Sequence, residues 1–243
     1  MSNPSDMARC GRTAAVVALA SLTLAGCSEP PGASHFPLES GRQWTYRLSS
    51  EWENSSSERE TVVLRNLGRD GAVPSGSAWH RRSETGLDYW LRADASGIYR
   101  VAAKTDLEAE PTPDAQPRYV LKAPIAVGTS WQATTTSYLL RRRNDFPPEI
   151  RHGQEPVAMT YTIAALDERV QTPAGVFEHC LRVQGAAKMK LFADAVGGWQ
   201  DLPLMTTEWY CPGVGLVKVE RREPANSTFL VGGTMALELT EWQ

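Results

Sequence analysis

Alternation with a period of two dominates the chain. "WTYRLSSEW" sets Trp44, Tyr46, Leu48, Ser50 and Trp52 on one face and Thr45, Arg47, Ser49 and Glu51 on the other. That is the signature of a half-buried strand. "NSSS" (54–57) interrupts it, and "RETVVLRNL" begins a second strand. "AWHRRSE", "LDYWLRAD" and "GIYRVAAK" predict three more, the last two joined across "DASG" (94–97). "LEAEPTPDAQP" (107–117), with three Pro and three acids, predicts a loop. Further strands are expected in "SWQATTTSYLLRRR", "VAMTYTIAALDERVQ", "VFEHCLRVQ", "LMTTEWYC", "LVKVERR" and "FLVGGTMALELTEW". "TPAG" (172–175) places Pro173 and Gly175 where a type I turn wants them, and "PGVG" (212–215) is a second turn. "RRRNDFPPEIRHGQEP" (141–156) reads as a polar loop. No long helical period follows residue 26, because Pro spoils "LEAEPTPDA" and "AALDERV" is short.

One phrase occurs twice. In "FPLESGRQW" (36–44) and "APIAVGTSW" (123–131), Pro37, Leu38, Gly41 and Trp44 match Pro124, Ile125, Gly128 and Trp131, each 87 positions on. "YWLRADASGIYRV" and "EWYCPGVGLVKV" are a second matched pair, at an offset of 118. Each Gly would let the chain turn with positive φ into a strand, and each Trp would cap a core. The expected fold is all-β: an antiparallel bent sheet, half-barrel or sandwich built from two duplicated β-meander lobes, 36–122 and 123–243. A sheet with one apolar face needs a cover, so the two lobes should cover each other or join edges.

The 243 residues carry a net charge of −3, which offers no basic field for nucleic acid. The N-terminus changes the picture more. "TAAVVALASLTLAG" (13–26) is an uncharged apolar run preceded by Arg9 and Arg12, a secretory leader too short to span a bilayer. It ends in "LAGC", Leu24–Cys27, which resembles the lipobox of bacterial lipoproteins. The resemblance implies that residues 1–26 are removed and that Cys27 carries diacylglycerol and an amide-linked acyl chain such as palmitate. Two or more chains anchor stably, each buried methylene contributing about 0.8 kcal/mol. Ser28 in place of Asp favours the outer membrane under the family's sorting rule. The tether 27–35 is short, and "SEPPGASH" spans at most about 27 Å extended. The body would therefore sit close to the periplasmic face of its own membrane.

"TPAGVFEHCLRV" (172–183) and "EWYCPGVGLVKVE" (208–220), after an "FPLxxGxxWxY" opening, resemble a group of uncharacterised bacterial envelope lipoproteins. The resemblance covers most of the mature chain. It implies a bent antiparallel sheet, somewhat similar to the half-barrels of lipoprotein-localisation carriers, and an envelope location. No catalytic residue comes with it.

Candidate chemistry is sparse. Cys180 and Cys211 are the only thiols of the mature body. In an oxidising compartment they are expected to pair, a bridge contributing roughly 3.5–4 kcal/mol, the alternative being two buried free thiols on different strands. His35, His80, His152 and His179 form no HxH or HxxxH pair and no CxxC exists, so no metal is expected. No cofactor fingerprint or GxSxG occurs. "EHC" (178–180) is no nucleophile–base pair on a strand, where neighbours face opposite sides. "RRR" (141–143), with Arg151 and His152, could meet phosphate groups, but Asp145, Glu149 and Glu155 offset it. Strand tryptophans suit a core better than a lipid or glycan platform.

Three functions remain: a non-enzymatic, membrane-tethered module that binds or scaffolds envelope components; a carrier of a lipid or other hydrophobic ligand in a half-barrel; and a hydrolase with dispersed residues. A hollow apolar interior would favour the carrier. A polar cleft converging on His80, His179 or paired acids would favour the hydrolase. The partners expected are the bilayer, through Cys27, and an envelope protein, lipid or glycan, with no nucleic acid. The pairing of Cys180 with Cys211 has a direct check: thiol titration of the unreduced, denatured chain should find neither reactive, and two reactive thiols would end it.

Overall fold

The computed structural model describes residues 30, 32–71, 73, 76–142, 156–194, 197–227 and 229–243. The leader, residues 27–29 and 31 of the tether with Cys27 among them, and Arg143, Arg151 and His152 lie outside the described residues. Strands account for most of the rest, and the helical element among the described residues is one 3-10 turn, Ala33–His35.

The strands alternate as their sequences do. β1 (Gln43–Trp52) buries Trp44, Tyr46 and Ser50 and exposes Arg47 and Glu51. β2 (Ser57–Asp70), β3 (Ala78–Ser83), β4 (Leu87–Asp94), β5 (Gly97–Thr105) and β6 (Thr112–Lys122) continue as an antiparallel meander. A second meander runs through β7 (Ser130–Thr135), β9 (Val157–Thr172), β10 (Gly175–Asp194), β11 (Gly198–Cys211), β12 (Gly215–Glu223) and β14 (Gly233–Trp242). Two short strands, β8 (Arg141–Arg142) and β13 (Leu230–Val231), pair with each other. β1 pairs with β14, with Trp44 opposite Trp242, so both meanders form one twelve-stranded sheet. The order is β6-β5-β4-β3-β2-β1-β14-β12-β11-β10-β9-β7, which curls until its two edges, β6 and β7, nearly meet.

The structure departs from the sequence expectation in two places. Thr112–Pro117 is strand rather than loop: it opens β6, which is an edge. Proline donates no ladder hydrogen bond, and an edge strand is where that loss is tolerated. Pro113 faces Ala102, and the register then slips before Arg118 meets Arg100, so residues 114–117 bulge out of the ladder. Arg141 and Arg142 are likewise paired strand, held by Val231 and Leu230, rather than free loop.

The repeated phrase builds the same local device twice. Gly41 (φ 84°) and Gly128 (φ 91°) both adopt the left-handed backbone that glycine accepts without a Cβ penalty. Gly41 N–H donates to Asn66 C=O, and Asn66 N–H donates to Arg42 C=O. Gly128 N–H donates to Ile163 C=O, and Ile163 N–H donates to Thr129 C=O. The indole that follows reaches a distant backbone carbonyl in each case. Trp44 Nε1–H donates to Val214 C=O at 2.7 Å, and Trp131 Nε1–H to Tyr119 C=O at 3.2 Å. The second of these bonds ties β7 to β6, across the gap that no ladder closes.

About eight strands give a barrel that side chains just fill, so a twelve-stranded one needs more filling. At the end where β1 begins, the chain of residues 32–42 folds across the sheet. Phe36 and Leu38 join the main apolar cluster, and Asn66 Nδ2 donates to the carbonyls of Pro37 and Glu39. At the other end Leu140, Ala225 and Leu230 join that cluster. This second plug is held by one carboxylate. Glu223, fully buried, accepts the backbone N–H groups of Tyr138, Leu139 and Leu140 at 2.8–3.2 Å and pairs with buried Arg221. Arg221 in turn donates to Thr136 C=O. On the flank, Cys180 on β10 and Cys211 on β11 are joined, Sγ–Sγ 2.03 Å.

Breaking one partner of a buried ion pair leaves the other charge and its donors stranded, at about 3–5 kcal/mol. Glu223→Ala should lower the free energy of unfolding by that order in urea titration, and Glu223→Gln by less. A loss under about 1 kcal/mol for the alanine variant would show that the carboxylate does not hold the plug.

Candidate functional site

The incomplete closure of the sheet creates the site. β6 and β7 are close where Trp131 meets Tyr119 and separate toward the far end. The gap is a cleft of about 660 Å³, lined by Arg100, Asp114, Arg118, Gln132, Thr134 and Thr136 among others. A second cavity, of about 290 Å³, lies deeper inside the curled sheet. Its wall includes Phe36, Leu64, Arg81, Tyr89, Leu91, Arg118, Val120, Tyr161, Glu208, Tyr210 and Leu216. Arg100, Arg118 and Ala133 line both, so the inner cavity and the cleft share a junction.

The polar groups of the inner wall sit on consecutive strands because the sheet curls around them. Arg81 on β3 is opposite Asn66 on β2, so both point inward. Arg81 Nε–H donates to Asn66 Oδ1 (2.7 Å) and Nη2–H to Pro37 C=O (3.0 Å). Its guanidinium lies over the rings of Phe36 (4.3 Å) and Trp44 (4.6 Å). Burial pulls its pKa down to about 10, which leaves it charged at neutral pH. On β5 and β6, Arg100 binds Asp114 through two hydrogen bonds of 2.8 and 2.6 Å. The adjacent Arg118 is half-buried and makes no hydrogen bond or ion pair among the described residues.

On the opposite wall Tyr210 Oη donates to Glu208 Oε2 at 2.5 Å. Burial raises the Glu208 carboxyl above the usual carboxylate range, against the Tyr210 hydrogen bond and the charges of Arg221 and Arg118. Burial also raises the Tyr210 phenol well above its ordinary value, and Tyr161 to about 12. The interior therefore holds fixed cations and hydroxyl donors beside a carboxyl that burial shifts upward.

The residues singled out in the sequence stand elsewhere. His80 stacks on Trp90 (4.7 Å between centroids) and contacts Asp88 at 2.6 Å, and it lines neither the cleft nor the cavity. His179 is exposed, with φ 57°, and contacts Asp167 at 2.6 Å. His35 meets the His179 carbonyl at 3.4 Å beside the N-terminal segment. Among the described residues no group of three or more His, Cys, Asp or Glu could hold a metal ion. No helix among them is long and apolar enough to cross a membrane. The residues that do converge, Arg81, Arg118, Glu208 and Tyr210, were not legible as a set. Each reads as one polar position in an alternating strand, and only the closure of the sheet faces β3 and β6 toward β11.

No family model and no curated protein matches the chain. Among solved structures it is similar to a protein assigned as a lipoprotein from Parabacteroides distasonis ATCC 8503. The identity is 14%, with 86% of this chain and 98% of that one covered, at a TM-score of 0.38. It is also similar to a protein assigned as exported, with a YmcC-like fold, from Bacteroides fragilis NCTC 9343. There the identity is 18%, with the same coverage, at a TM-score of 0.37. At those TM-scores neither says what this chain binds.

The raised Glu208 pKa carries a sign that can be checked. A carboxyl whose folded pKa lies above its unfolded value of about 4.3 adds stability below that value and loses it as pH rises through the folded pKa. Glu208→Gln should therefore flatten the decline in stability as pH rises above about 4.3. Urea midpoints from pH 4 to 8 that run parallel for both proteins would contradict this.

Proposed function

We propose that the chain is a lipid-anchored, non-catalytic module of the bacterial envelope that holds a ligand in the side opening of its barrel. The observation that carries the binding role is the shared junction. A cleft between the two unpaired edges leads to an inner cavity through Arg118 and Ala133. Small-molecule sites are concave, largely apolar and furnished with a few converging polar groups. The inner cavity has that character, with Phe36, Leu64, Leu91, Val120 and Leu216 around Arg81, Arg118 and Glu208. Neither His80 nor His179 lines it.

The envelope location rests on the "LAGC" tetrapeptide and its leader. The chain lies against the sheet from Gly32, five residues after Cys27, so a lipid there would hold the β1 end of the barrel within about 17 Å of the bilayer. Ser28 favours the periplasmic face of the outer membrane. The paired Gly–Trp devices support descent of the two meanders from one duplicated unit.

Two measurements test this. Cys27→Ser should abolish acylation and release the protein from envelope vesicles, and a variant still vesicle-bound would remove the anchor. Ala133→Trp, which fills the junction, should lower by at least about tenfold the ligand found with the purified protein by native mass spectrometry. A parent protein that always emerges as an empty monomer would favour a scaffold instead.

A further inference from the structure

The charge lining the inner cavity is unbalanced. Arg81 is only 8% exposed, yet among the described residues no acidic side chain pairs with it. Its partners are the neutral Asn66 and Pro37 oxygens and two aromatic faces. A buried charge is ordinarily paired and hydrogen-bonded, because desolvation is otherwise uncompensated. Arg118, on the same cavity wall, is likewise without an ion-pair partner there. Arg100 shows what a satisfied arginine looks like here, with Asp114 on both arms. The one carboxylate on the inner wall, Glu208, is engaged by Tyr210.

We propose that the inner cavity binds an organic anion with an apolar body. Its carboxylate or phosphate head is received by Arg81 and Arg118, and its apolar part lies against Phe36, Leu91, Val120 and Leu216. This rests on the ligand-binding role proposed above and adds the class of ligand. Guanidinium forks match planar carboxylates and phosphates, and charge-assisted hydrogen bonds are about twice as strong as neutral ones. The dimensions limit what fits. About 290 Å³ is at the small end of ligand sites, so it takes a head and a short apolar segment. A longer chain leaves through the cleft between β6 and β7.

The test uses the full chain in phosphatidylcholine nanodiscs, titrated by calorimetry against empty nanodiscs. The probes are hexanoate, hexyl phosphate, 1-hexanol and inorganic phosphate. At least one hexyl anion should bind about tenfold or more tightly than both hexanol and inorganic phosphate. Arg118→Gln should weaken that anion by about tenfold while leaving the melting temperature unchanged, since the side chain makes no bond in the empty protein. Arg118→Lys should recover part of the loss. Tighter hexanoate identifies a fatty-acid-like ligand, and tighter hexyl phosphate a phosphoester. Hexanol or inorganic phosphate binding as tightly as the better hexyl anion, or an unaffected Arg118→Gln variant, would each overturn the anionic-amphiphile assignment while leaving a cavity that binds something. If no probe binds at all, the ligand-binding role falls with it.

Discussion

A twisted antiparallel sheet with one apolar face has, among the described residues, no helical layer to pack against. The described residues contain no helix that could serve as a cover, so the apolar faces of twelve strands are buried by curling the sheet around. Everything else follows from that constraint. Curling brings β6 near β7, and the indole of Trp131 supplies a hydrogen bond across the gap where ladder pairs are missing. It also encloses a volume larger than the strands' own side chains occupy, so segments from outside the meanders are drawn in.

The two ends are filled by different physics. At the β1 end, an extended N-terminal segment is tied down by side chains of the barrel wall: Asn66 and Arg81 both donate to the Pro37 carbonyl. At the far end a carboxylate does the work, with Glu223 gathering three successive backbone N–H groups from residues 138–140. Both solutions satisfy backbone groups that an irregular segment would otherwise bury unpaired. The first has a consequence for function, because it places a guanidinium with no acidic partner on the wall of the remaining cavity.

That cavity is a by-product of imperfect closure rather than a separately built domain. The bulge at residues 114–117 and the shortness of β7, six residues, keep the edges apart over the far half of the seam. The same features discourage edge-to-edge aggregation, since proline and bulges blunt an open edge. A gap protected from foreign strands can still admit a small molecule, which is the combination a tethered binding module needs.

By itself the sequence determined the strands, because period-two alternation and Gly- or Pro-marked turns are local properties. It also marked a local device that recurs, since the Gly41–Trp44 and Gly128–Trp131 phrases yield the same hydrogen-bonded turn. Local rules erred at 112–117, where proline reads as a loop unless the strand is known to be an edge. Edge status is a fact of sheet order, not of composition. The site was decided only by the tertiary structure. Arg81, Arg118 and Glu208 are far apart in the chain and unremarkable in their own strands, and a strand's inward face acquires neighbours only once the sheet has closed. Which charges are left without a counter-ion depends on those neighbours, and no spacing along the chain encodes them.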